Sequence, residues 1–117
     1  MLFDNNSNIQ EINLTNIDNS PTKIKLLSDA LKKNTVLTKL ILEHNLIDCN
    51  NVTLLADALK TNFTITELNL NFNKIGYEGI QSLAEALKIN NVLTTLYLDN
   101  NEIDNLCIQP LSEALKI

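Results

Sequence analysis

The sequence predicts an α/β solenoid of about four strand–helix repeats, with a parallel sheet on the concave side and helices on the convex side. Three observations carry this prediction. Ala30-Leu31-Lys32 recurs as Ala58-Leu59-Lys60, Ala86-Leu87-Lys88 and Ala114-Leu115-Lys116, each copy 28 residues after the last. Each repeat also holds an alternating apolar pair, Ile12/Leu14, Leu40/Leu42, Leu68/Leu70 and Leu96/Leu98. Side chains two apart share one face of a strand. Finally, Val52, Leu55, Leu59 and Ile80, Leu83, Leu87 fall at i, i+3, i+7, one stripe of a helix. One such unit cannot bury its own apolar side, so equal units must stack.

The elements follow in order. Residues 1–8 are expected to form an N-terminal cap segment, with Leu2 and Phe3 folded over the open side of the first unit. Repeats then start near 9, 37, 65 and 93 within a single domain, 1–117. They read IQEINLTNIDN, LTKLILEHNLI, ITELNLNFNKI and LTTLYLDNNEI. Asn45, Asn73 and Asn101 stand where the chain turns out of each strand. An amide side chain can both donate to and accept from the backbone groups left unpaired there, so these three predict a structural asparagine ladder. The first repeat has Ile17 in that column, as an atypical terminal unit would. Asn34, Asn62 and Asn90 follow the helices, where a left-handed residue is expected. Ser20-Pro21 reads as a helix cap with proline at the first helical position. Asp29/Lys32, Asp57/Lys60, Glu85/Lys88 and Glu113/Lys116 are spaced as i,i+3 surface pairs. The last helix, PLSEALKI, would leave Leu111, Leu115 and Ile117 wet, from which self-association through the C-terminal repeat is expected.

Composition removes many function classes. The net charge is -5 and every one of the nine basic residues is Lys, which argues against nucleic acid or an anionic membrane as partner. Without arginine, this chain cannot itself clamp phosphate in a bidentate fork. Two glycines, Gly76 and Gly79, cannot build a glycine-rich phosphate loop. One histidine and two cysteines argue against a zinc cage. Cys107 aligns with Gly79 and Asn51 as a packed thiol, whereas Cys49 falls in a strand-to-helix loop. Two repeats apart, they are too distant for a disulfide and are expected to be reduced. The N-terminus lacks the charged and apolar regions of a signal peptide, and no apolar run is long enough to span a bilayer. A cytoplasmic protein without cofactor is expected.

At LxxLxLxxNxI followed by a helix ending LxxAL, the chain resembles the leucine-rich repeat family. The resemblance covers about residues 9–117. The 28-residue length and helical second half are similar to the ribonuclease-inhibitor-like subclass, which occurs in NOD-like receptors, tropomodulin and the Ran GTPase-activating protein. It implies a horseshoe segment whose scaffold serves many unrelated tasks.

Candidate function is therefore sought on the exposed face of the strands, where four columns point outward. They are Glu11, Lys39, Glu67, Thr95; Asn13, Ile41, Asn69, Tyr97; Thr15, Glu43, Asn71, Asp99; and Asn16, His44, Phe72, Asn100. No requirement of the fold is expected to set their identities. Ile41, Phe72 and Tyr97 among polar neighbours have the composition of a protein-binding patch. The charged members are Glu11, Glu43, Glu67 and Asp99 against Lys39, favouring a basic or polar partner. Glu43 and Asp99, two strands apart, are spaced too widely for paired carboxylate catalysis, and His44 has no partner set resembling a triad. The expectation is a non-enzymatic module that binds a protein through its concave face. The alternatives are a small GTPase regulator of the Ran GTPase-activating type, implied by the resemblance, and a structural fragment of a larger receptor-like protein.

Overall fold

The alternating pairs become four short strands. The structure, a computed structural model, describes residues 9–17 and 21–102. In order along the chain it holds β1 (Glu11–Asn13), α1 (Pro21–Lys33), β2 (Lys39–Ile41), α2 (Cys49–Leu59), β3 (Glu67–Asn69), α3 (Gly76–Ile89) and β4 (Thr95–Tyr97). The strands form one sheet in the order β1-β2-β3-β4. Every pair is parallel, with Glu11 opposite Lys39, Lys39 opposite Glu67 and Glu67 opposite Thr95. Parallel neighbours need a crossover, and each helix supplies one. Strand therefore lies beside strand, and helix packs on helix, in chain order.

The core lies between these two layers. Leu40, Leu42, Leu68 and Leu70 meet Ile24, Leu27 and Leu31 of α1, Val52, Leu55 and Leu59 of α2, and Ile80 and Leu83 of α3 in one buried cluster. Each such burial contributes about 2 kcal/mol. Leu87, expected in the α3 stripe, is half-buried. The outer pairs, Ile12/Leu14 and Leu96/Leu98, are only partly buried against the cluster.

Local chemistry sets the helix starts. Proline opens α1, as expected. Asp48 caps α2 by accepting from the Asn51 amide at 2.9 Å. One repeat later that column holds Gly76 at φ +67°, and α3 starts without a side-chain cap. Gly79 is a close-approach site, because a Cβ there would run into Ile75 Cγ2 and Val52 Cγ1.

Three expectations are corrected. Asn34, Asn62 and Asn90 are not left-handed; Asn90 sits at φ −86°, ψ 115°, and none of the three has positive φ. They are buried and form a second ladder. The Asn62 amide donates to Leu31 O (2.8 Å) and Asn34 O (3.2 Å), and its oxygen accepts from Thr64 N and Ile65 N. Asn90 repeats this with Leu59 O, Asn62 O, Val92 N and Leu93 N. Lys32 pairs not within its helix but with Asp57 of α2, at 3.0 Å, whereas Glu85/Lys88 does pair as expected at 3.3 Å. Cys49 is the first residue of α2 and half-buried, not a loop residue. The expected roles of Leu2, Phe3, Ser20, Cys107, Glu113/Lys116, Leu111, Leu115 and Ile117 lie outside the described residues.

Candidate protein-binding face

The parallel register brings the predicted columns together on the sheet face turned away from the helices. In the first column, Lys39 lies 3.1 Å from Glu67 and 3.9 Å from Glu11. The hydrogen bond that Lys39 donates to Glu67, then the charges of Glu11 and Glu67, raise the Lys39 pKa above its ordinary value. Three charges are thus largely spent on one another, and half-buried Thr95 ends the row.

The second and third columns are cross-linked. Asn69 donates to Glu43 Oε1 at 2.7 Å, and its own oxygen accepts from Asn71 N at 3.0 Å. The Asn71 oxygen accepts from Asp99 N at 2.7 Å. Asn13 holds Thr15 in the same way through its amide and hydroxyl. Ile41 is half-buried, while Tyr97 is 42% exposed. No ion pair among the described residues uses Glu43 or Asp99.

The fourth column departs from expectation, because the backbone does constrain it. Asn16, His44, Phe72 and Asn100 all lie at φ between +57° and +60°. Asparagine tolerates that region, whereas an aromatic residue there is a conformational outlier that costs about 1 kcal/mol or more. The two aromatic members answer each other: the His44 and Phe72 rings stack with centroids 4.5 Å apart and planes 7° from parallel.

The structural ladder forms behind this column. Asn45 accepts from Ile17 N at 2.9 Å and donates to Leu14 O and Glu43 O. Asn73 accepts from Asn45 N and Ile47 N, and donates to Leu42 O, Leu70 O and Asn71 O. Asn101 donates to Leu70 O and Asp99 O, but its buried oxygen has no partner among the described residues. Leu46, 56% exposed at φ +52° beside His44, went unnoticed in the sequence because it reads as one more leucine of the repeat. Among the described residues, no His, Cys, Asp and Glu cluster is arranged to hold a metal ion, and no helix is long and apolar enough to cross a membrane.

A parallel sheet built in this register, with Asn45 and Asn73 turning β2 and β3 toward their helices, defines a leucine-rich-repeat protein. Residues 1–107 match the family model of the TMOD/LMOD leucine-rich domain, and the chain belongs to that family. Among solved structures, it is similar to leiomodin-1 actin-binding site 2, with 31% identity and a TM-score of 0.88 over 96% of this chain. The match spans 66% of the leiomodin-1 chain. The tropomodulin C-terminal domain of Caenorhabditis elegans has the same fold, with 18% identity and a TM-score of 0.85 over 98% of this chain and 71% of that one. A comparison with curated proteins gives no match. Of the families named for the resemblance, tropomodulin is one with a solved structural counterpart.

Proposed function

We propose that this chain is an actin-binding module that works without catalysis or cofactor, in the cytoplasm where actin resides. The observation that carries the reading is the 31% identity and 0.88 TM-score to a structure described as an actin-binding site. The repeats are read as a ribonuclease-inhibitor-like horseshoe segment, and the outer sheet face as its concave binding surface. Tyr97 and Phe72 are exposed anchors there, with Ile41 between polar neighbours. Lys39 and Glu67 set the charge pattern at one end of the strands, Glu43 and Asp99 at the other. Asn69, Asn71, Thr95 and His44 supply the remaining polar contacts.

Co-sedimentation with filamentous actin tests this directly, alongside a binding titration with monomeric actin. Saturable binding to either form, weakened in the Phe72→Ala/Tyr97→Ala double variant, is expected. A folded wild-type chain that binds neither form overturns the actin assignment. Full binding by the folded double variant overturns the face.

A further inference from the structure

We infer that Phe72 and Asp99 form a receptor for an arginine side chain presented by the protein partner. This rests on the reading that the outer sheet face binds protein. The stack of His44 on Phe72 runs across the repeats, so His44 covers the Phe72 face on the second-repeat side. Phe72 nevertheless remains 44% exposed. Its other face is turned toward the fourth repeat, where the column continues with exposed Asn100 rather than a third ring.

The Asp99 backbone lies next to that of Phe72 and is fixed there. Phe72 N donates to Asp99 O at 2.8 Å, and Asp99 N donates to the Asn71 oxygen at 2.7 Å. The backbone of Asp99 is thus tied on both sides while its carboxylate is exposed and takes part in no ion pair among the described residues. Lys39 is engaged by Glu67 and Glu11. Of the two acids of this face outside any ion pair among the described residues, Glu43 already accepts from the Asn69 amide, and Asp99 is the one joined through its backbone to Phe72.

The chemistry that matches both is a guanidinium. It is planar, stacks on an aromatic ring and offers a fork of donors to a carboxylate at once. An ammonium matches the charge but not the plane. The chain contains no arginine. A second copy of these residues cannot supply the group, and the proposal places the arginine on the protein partner. His44 is a positioning residue in this scheme: it backs the Phe72 ring and holds its plane across the repeats.

The test separates the arginine receptor from the identity of the partner. The blocked tripeptides acetyl-Gly-Arg-Gly-amide, its lysine counterpart and its citrulline counterpart are titrated while Phe72 ring and Asp99 amide resonances are followed by NMR. The arginine peptide is expected to give saturable shifts at both residues, lysine weaker ones, and uncharged citrulline none. Phe72→Asn, which puts the residue of the outer repeats into the column, and Asp99→Asn should each remove the response while the melting curve stays cooperative. In actin binding each variant should lose about tenfold in affinity. The double variant should lose little more than either alone, since both grip one side chain. Absence of arginine shifts, equal shifts with citrulline, or wild-type actin affinity in both variants overturns the proposal. A response to the arginine peptide in a chain that fails to bind actin sustains the receptor and overturns the actin reading instead.

Discussion

Two rows of buried asparagine cross the repeats at opposite ends of the strands, and they are wired differently. At the helix-to-strand end the wiring is uniform. The Asn62 and Asn90 amides each reach two carbonyls of the preceding repeat, and the oxygens of Asn34, Asn62 and Asn90 each collect two loop amides. At the strand-to-helix end it is not. Asn45 and Asn73 accept alike from the turn of the preceding repeat, at Ile17 N and Asn45 N, whereas the Asn101 oxygen has no partner among the described residues. The cap of the following helix also changes there, from Asp48 to Gly76, and the left-handed column changes from asparagine to aromatic. One edge is scaffold. The other departs from uniformity, and the candidate binding residues Glu43, His44, Asn71, Phe72 and Asp99 lie next to it.

The largest expected effect tests whether the two rows are equal in stability despite their wiring. Asn62→Ala and Asn73→Ala each remove a buried amide and leave its backbone partners unpaired, and should cost about 3–5 kcal/mol in urea unfolding. Asn101→Ala, whose oxygen has nothing to lose, should cost about half as much. An Asn62→Ala cost below about 1 kcal/mol would break the comparison, since that row would then be dispensable.

Next comes the changed cap. Gly79→Ala should cost about 1–3 kcal/mol, because the new Cβ meets Ile75 and Val52, both stiff β-branched side chains. Gly76→Ala meets nothing within 4 Å but keeps φ +67°, so it should cost about 1 kcal/mol. Thermal melts of the two variants rank these. A reversed order would mean that backbone strain, not packing, sets this helix start.

Phe72→Asn sharpens the contrast in the opposite direction. Relieving an aromatic residue at φ +60° should raise stability by about 0.5–1 kcal/mol, less the lost stacking on His44. A clear loss in urea unfolding would show that the stack holds the fold rather than serving the surface.

What the sequence disclosed follows the range of the physics. The 28-residue period announces the register, because equal units stacked in parallel must align Glu11, Lys39, Glu67 and Thr95. Asn45, Asn73 and Asn101 are legible because each ends a recognisable strand. Asn34, Asn62 and Asn90 look left-handed from sequence alone, since a short-range rule about helix ends does not register the backbone groups of neighbouring repeats that they pair. The left-handed column was hidden for a related reason. His44 and Phe72 mask a position that only Asn16 and Asn100 advertise, and the stack between them joins residues 28 apart.

The Lys32–Asp57 pair shows the same long-range effect at its weakest. Spacing within α1 points Lys32 at Asp29, yet its ammonium lies 3.0 Å from Asp57 on the next helix. The hydrogen bond from Lys32, then its charge, hold the Asp57 carboxyl below its ordinary range. A carboxyl depressed in the folded state stabilises that state above the unfolded pKa. The contribution is present at neutral pH and is lost as pH falls through the depressed value, below about 4. Both side chains are well exposed, at 40% and 59%, so the effect is small and screened by salt. Asp57→Asn should therefore lower the melting temperature slightly at about pH 6 in dilute buffer, and not at all at about pH 2. The same difference at both pH values would show that Asp57 acts through packing at the α1–α2 contact rather than through its charge.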